Sequence, residues 1–235
     1  MEILDSTLRE GEQTPGISFT IDQKVAIAKR LDAFGVDFIE LGHPAVSPDV
    51  YEAVAILNDL NLNTKKIAHG CASKSDINDV AAIGVGWMGI FFGTSPLSLK
   101  HKFNMTKSDA LARIETAVKY GKDKGLHLRF TAEDASRTDF GFLIQVGQLV
   151  QKAGADRFSL ADTVGCLTPT KIKKLVDRIV TELDIPIHVH CHNDFGMATA
   201  NAISAVEAGA QCVDVTVNGL GERCGLPPLA EVTTA

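Results

Sequence analysis

The sequence predicts a (β/α)8 barrel, and three observations predict it. Apolar runs rich in β-branched residues alternate along the chain with segments of helical period. Each helical segment has recognisable start and stop residues. The unusual polar residues fall at the ends of the apolar runs. Eight runs read as strands: Glu2–Thr7, Asp37–Gly42, Lys65–His69, Met88–Gly93, Leu126–Ala132, Arg157–Asp162, Ile185–His190 and Val213–Val217. Strands that alternate with helices demand a parallel sheet with right-handed crossovers. Eight such units suggest closure into a barrel. The alternative is a doubly wound open sheet, but no GxGxxG follows the first strand, which weakens its dinucleotide-binding version.

The helix boundaries support the alternation. Thr20 to Gln23 reads as a capping box, and Thr106 with Asp109 as another start. Ser47-Pro48 and Thr168-Pro169 set a cap residue before a proline at the first helical position. Gly35, Gly125, Gly154 and Gly209 stand where helices should stop. Ile172, Leu175, Val176, Ile179 and Leu183 fall on one helix face. After the eighth strand little sequence remains before Ala235. The expectation is therefore one domain over 1–235, a barrel whose eighth helix is truncated or missing.

Bulk properties narrow the function. With 235 residues, 45% hydrophobic and 22% charged, the chain is long enough for one large core. The net charge of −6, the scarcity of aromatics and the lack of a basic stripe argue against nucleic acid. No apolar stretch reaches the ~18 residues of a membrane span, and no signal peptide opens the chain. Five scattered cysteines, an odd number without a CxxC, suit reduced thiols in a cytoplasmic protein.

The chemistry is concentrated at the strand ends, where barrel active sites form. His190 and His192 flank Cys191 at the end of the seventh strand, so their side chains share a face. Two imidazoles make half of a metal site. The plain alternative is a pair of histidines satisfied within a turn. The opening cluster Asp5-Ser6-Thr7-Leu8-Arg9-Glu10-Gly11-Glu12-Gln13 offers Glu10 as a third ligand, against a simple ion pair with Arg9. Asn218 is a weaker oxygen donor, or a turn residue. A mixed N/O set leaves zinc, manganese, magnesium and iron all open.

Arg129 and His69 are candidates to bind a substrate carboxylate, Arg because its fork matches one bidentately. The competing readings are an ion pair of Arg129 with Glu133 or Asp134, and a core role for His69. Glu133 is a candidate general base. Gly219-Leu220-Gly221-Glu222-Arg223-Cys224-Gly225 is a loop whose backbone N–H groups suit a phosphate or pantetheine chain, or merely a tight turn.

Three spaced motifs now stand in order. Asp5 to Gln13 resembles D-x-TLR-[DE]-GxQ, His190 to Asp194 resembles HxHND, and Gly219 to Gly225 resembles GxGERxG. Together they resemble the metal-dependent acyl-CoA aldol-condensing barrels, the family of isopropylmalate synthase, homocitrate synthase and hydroxymethylglutaryl-CoA lyase. The resemblance implies that Glu10, His190 and His192 bind a divalent metal (zinc, manganese or magnesium). It implies that Arg9 and Glu133 are catalytic. It further implies that Arg9, His69, Arg129, Thr131 and Thr163 contact a 2-oxo acid, and that Gln13, Asn218, Gly219, Gly221, Glu222 and Arg223 serve acetyl-CoA, the co-substrate. Glu10 in the first motif, together with Lys66-Ile67-Ala68-His69, Leu128 to Asp134 and Ala161 to Cys166, is more similar to the homocitrate branch, whose acceptor is 2-oxoglutarate. The isopropylmalate, citramalate and Re-citrate synthases are the alternatives, as is a barrel that binds metal and oxo acid without catalysis. By the same resemblance the protein is a homodimer, and relatives carry a tail that completes a neighbouring active site. A chain ending at the barrel is therefore expected to condense poorly alone.

Overall fold

The computed structural model describes residues 1–235. Eight strands run β1 (Glu2–Asp5), β2 (Phe38–Glu40), β3 (Lys65–Cys71), β4 (Trp87–Gly93), β5 (His127–Glu133), β6 (Arg157–Asp162), β7 (Ile187–Cys191) and β8 (Cys212–Val215). Every neighbouring pair is parallel, and β1 pairs with β8 through Glu2↔Cys212 to Asp5↔Val215, which closes the barrel. The helices are α1 (Ile21–Phe34), α2 (Pro48–Asn58), α3 (Lys74–Ile83), α4 (Lys107–Asp123), α5 (Phe140–Lys152), α6 (Pro169–Val180), α7 (Ala198–Glu207) and α8 (Leu229–Thr234). The eighth position is thus held by a six-residue helix, which buries Leu229 and Val232. No helix is long and apolar enough to cross a membrane.

The helix starts follow local chemistry. Thr20 and Thr106 form full capping boxes with Gln23 and Asp109, and Ser47 accepts from Val50 N ahead of Pro48. Thr168 departs from this pattern, because its side chain makes no capping bond. The proline at the next position has no N–H to satisfy, and its fixed φ starts the helix without help.

Two apolar regions build the core. The larger lies between the strands and the surrounding helices. The smaller, Leu4, Phe38, Ile67 and Cys212 with Trp87 against it, fills the barrel's lower end, where the strands begin. Side chains two residues further along each strand face the same way. That step takes Phe38 to Glu40, Ile67 to His69, Trp87 to Gly89 and Cys212 to Asp214. The inner surface therefore changes from apolar to charged within one layer.

Candidate metal and oxo-acid site

The charged layer is a network. Arg129 is 1% exposed. Its Nη1 donates to Asp214 Oδ1 and Oδ2 at 3.1 and 3.0 Å, and its Nη2 to Glu40 Oε1 at 2.9 Å. Glu40 also accepts from Ser6 Oγ and from Arg9 Nε at 2.8 Å. Burial alone would raise the Glu40 carboxyl, but Arg9, His69 and Arg129 outweigh it and hold it well below the usual carboxylate range. Arg129 therefore pairs across the barrel with β2 and β8, and not with Glu133 or Asp134 as local spacing suggested. Gly89 makes room for it: a Cβ there would lie 3.1 Å from Arg129 Nη2 and 3.4 Å from His69 Nδ1.

Above this layer sits the triad. After β1 the chain turns sharply, with the N–H groups of Arg9, Glu10 and Gly11 all donating to Ser6 O at 2.8 to 3.2 Å. This brings Glu10, 2% exposed, beside the end of β7. Its Oε1 accepts from Glu222 N at 2.9 Å, and its Oε2 pairs with Arg9 Nη1 and lies 4.0 Å from His190 Nε2. Gln13, with its amide nitrogen turned inward as the acceptors around it require, reaches both Glu10 oxygens at 2.9 and 3.0 Å. His190 Nε2 and His192 Nε2 face each other at 3.3 Å.

Several features fit these three residues to a divalent cation. One ligand atom from each lies within 4.8 Å of the others. Ligand nitrogens at ~2.0–2.1 Å from one tetrahedral ion stand ~3.3 Å apart, close to the separation seen here. Burial would raise the Glu10 carboxyl, but Arg9 and both histidines keep it below its ordinary value. Burial, then the neighbouring His190, pushes His192 down to about 3. A carboxylate and a neutral imidazole are the forms that bind metal. Behind the triad, Asp214 Oδ2 lies 3.0 Å from His190 Nδ1, the outer carboxylate that orients a ligating imidazole. Sequence reasoning missed Asp214. The available signal was a lone charge inside the apolar run Cys212-Val213-Asp214-Val215.

A cavity of about 520 Å³ opens above. Arg9, Glu10, Gln13, His69, Arg129, Thr131, Glu133, Thr163, His190, His192 and Glu222 all line it. Asn218, Gly219, Gly221 and Arg223 do not line it. Asn218 sits in a left-handed turn at φ 57°. Gly221 N donates to Thr14 Oγ1 at 2.7 Å, and a Cβ on Gly225 would stand 1.8 Å from Gly219 O. Arg223 is tied to Asp194 at 2.8 and 2.9 Å and to Thr163 O at 2.6 Å. The glycines let this loop fold tightly over Glu10, and the N–H groups of Gly221 and Glu222 are spent inside the protein.

The other candidates have specific partners. Glu133 accepts from Lys102 Nζ at 2.8 and 2.9 Å, a partner on the short π-helix Ser98–Phe103 that no motif announced. Thr163 Oγ1 accepts from Asp134 N at 2.8 Å. Thr131 Oγ1 is buried without a partner. Burial pushes His69 down to about 4, with its Nδ1 3.1 Å from Glu40 Oε1. All five cysteines are free thiols.

The HMGL-like family matches residues 1–235. A relative named homocitrate synthase from Saccharolobus islandicus (strain L.S.2.15 / Lassen #1) is 49% identical over 238 residues, covering 99% of this chain and 52% of the relative. A homocitrate synthase of Pyrococcus abyssi is 49% identical over 232 residues, covering 99% and 64%. The chain thus spans between half and two thirds of the length of these relatives. Solved HMG-CoA lyases from Bacillus subtilis and Brucella melitensis share the fold, each with TM-score 0.86, at 18% and 21% identity. They cover 99% of this chain and 84% and 88% of theirs. The chain belongs to the HMGL-like family.

Proposed function

We propose that this barrel catalyses the condensation of acetyl-CoA with a 2-oxo acid, 2-oxoglutarate giving homocitrate. The carrying observation is the buried triad Glu10, His190 and His192 at one wall of a cavity that also holds Arg9 and Glu133. The two relatives' names favour the same reading. A divalent cation held by Glu10, His190 and His192 would act as a Lewis acid on the carbonyl of the oxo acid.

The chain's own residues supply the rest. Arg9 is fixed by Glu40 and Glu10, so its guanidinium is preorganised for the negative charge that grows on the acceptor's carbonyl oxygen. Glu133 takes a proton from the acetyl methyl group. The resulting enolate carbon bonds to the acceptor's carbonyl carbon as the C=O π bond breaks, and the alkoxide oxygen so formed takes a proton from solvent to end as a hydroxyl. Water then cleaves the thioester and CoA leaves. Lys102 holds Glu133 in place and must yield one of its contacts as the proton moves. Thr131 and Thr163 line the same cavity and offer hydroxyls to the acceptor. In this reading the barrel is the catalytic domain of a cytoplasmic homodimer.

The test is free-CoA release from acetyl-CoA with a divalent metal and, separately, 2-oxoglutarate, oxaloacetate, pyruvate or 2-oxoisovalerate. Release with 2-oxoglutarate alone supports homocitrate synthesis. Release with another acceptor moves the reading to that branch of the family. No release from the complete protein with any of them overturns it.

A further inference from the structure

Three rim loops meet at one side chain that does not touch the cavity. Arg223 follows β8. Its Nε and Nη2 donate to Asp194 Oδ1 and Oδ2 at 2.8 and 2.9 Å, a two-pronged pair with the loop after β7. Nη2 also donates to Thr163 O at 2.6 Å, in the loop after β6. Nη1 lies 3.1 Å from Glu222 Oε1. Every guanidinium nitrogen thus has an acceptor, although the side chain is 36% exposed.

The backbone at Arg223 is left-handed, with φ 55°. That region is costly for a residue with a Cβ, and such residues persist where their surroundings hold them in place. Gly219 at φ 70° and Gly225 at φ 81° fill left-handed positions in the same turn at no such cost. A turn that needed only this backbone at position 223 would also be easiest to make with glycine. The strain is accepted for what the guanidinium does.

The segment it fastens lies over the triad. Glu222, the residue before it, gives its N–H to Glu10 Oε1 at 2.9 Å. A Cβ on Gly221 would stand 3.2 Å from Glu10 Cγ. On the other side, Asp194 is two residues past His192, and Asn193 N donates to Gly225 O at 2.9 Å. Gly165 packs against the same place: a Cβ there would lie 2.8 Å from Asp194 N and 2.9 Å from His192 O. The loops after β6, β7 and β8 therefore interlock around the Arg223–Asp194 pair. Glu10 and His192 come from distant parts of the chain, and the interlocked loops span the gap between them.

We propose that Arg223 is a positioning residue. By pinning the loop after β8 to Asp194 and Thr163, it sets where Glu10 stands relative to His190 and His192, and so how tightly the three hold a divalent cation. It touches neither cation nor substrate. The inference rests on the triad reading above and deepens it.

The test is titration of the complete, metal-stripped protein with zinc and with manganese against a chelator, with amide exchange at Glu222 followed in parallel. Arg223→Gly suits the left-handed backbone and removes the guanidinium. It should weaken both metals about tenfold, the low end of the range for groups behind a metal ligand, and Glu222 N–H should exchange faster. The melting temperature of the metal-free protein should stay close to the wild type, because relief of the backbone offsets the loss of a partly exposed pair. Arg223→Lys keeps the charge without the fork and should recover part of the affinity. Asp194→Asn should also weaken the metals, and the double variant should be no weaker than Arg223→Gly alone, since the two side chains act as one unit. Lys173→Met breaks an exposed pair with Glu207 on the outer helices and should leave metal affinity unchanged. Wild-type affinity in Arg223→Gly, or losses in the two single variants that simply add, overturns the assignment while the triad reading stands. A wild-type protein that binds neither metal overturns both.

Discussion

Two arginines sit side by side in the barrel, Arg129 on β5 in register with Arg157 on β6. They live in different surroundings. Arg157 faces the lower end, where its side chain is 11% exposed and pairs with the half-buried Glu2. Its guanidinium lies 5.0 and 5.5 Å from the ring centres of Phe38 and Trp87. Arg129 faces the charged layer, 1% exposed, between two carboxylates that are just as buried. At the lower end the charge can fall back on water if its partner goes. In the charged layer each charge depends on every other, and Arg129 Nε and Thr131 Oγ1 remain buried without partners. The lower end is built to close the barrel, and the upper layer carries electrostatic cost that only a bound ligand or water can relieve.

The comparison can be broken most directly at Arg129. Arg129→Met strands Glu40 and Asp214 as unpaired buried charges and should cost about 3–5 kcal/mol in thermal or urea unfolding. A loss under about 1 kcal/mol would show that the charged layer is wetter than its packing implies.

Asp5 probes the far side of the same wall. Burial raises its carboxyl from 3.8 to about 6, against lowering bonds from Thr7. The folded state therefore holds this proton more tightly than the unfolded chain. The stability it contributes is fully present below the unfolded value near 3.8 and is lost as pH rises through about 6. The difference is about 3 kcal/mol at most. Asp5→Asn should flatten the fall in stability between about pH 4 and 6, as read from unfolding curves at each pH.

Asp214 tests the layer's link to the triad. Asp214→Asn keeps an acceptor but removes the charge behind His190, so metal affinity should fall about ten- to a hundredfold in a chelator competition. Glu2→Gln at the lower end should leave that affinity unchanged, and equal losses would erase the distinction between the two regions. The smallest effect is expected from Arg157→Met, about 1 kcal/mol or less, because a partly solvated pair is exchanged for an apolar stem on the same rings. If it matched Arg129→Met, position in the barrel would not be what separates the two arginines.

Much of the architecture was legible. Strand patterns, capping boxes and stop glycines are local properties, and the closed eight-stranded barrel follows them with boundaries shifted by a residue or two. The residues at strand ends were legible as a group, because polar side chains at successive strand ends have few other homes. Their partners were not. Arg129 met Glu40 and Asp214 rather than its neighbours in sequence, since strand closure sets the inner layer. The loop from Asn218 to Gly225 was legible as a glycine-rich turn, but its close packing over Glu10 was not. Asp194 and Arg223 lie in separate βα units, and no spacing rule links them.

The sequence alone determined the alternation of strands and helices, and hence which side chains stand at the upper rim. It also determined the chemical character of the triad, because two imidazoles at i and i+2 on a strand share a face whatever surrounds them. Only the tertiary structure decided which charges neutralise one another and which histidines stay neutral. Those outcomes depend on distance and burial across strands far apart in the chain. Charge interactions grow steep once water is excluded, and water is excluded only when the barrel closes.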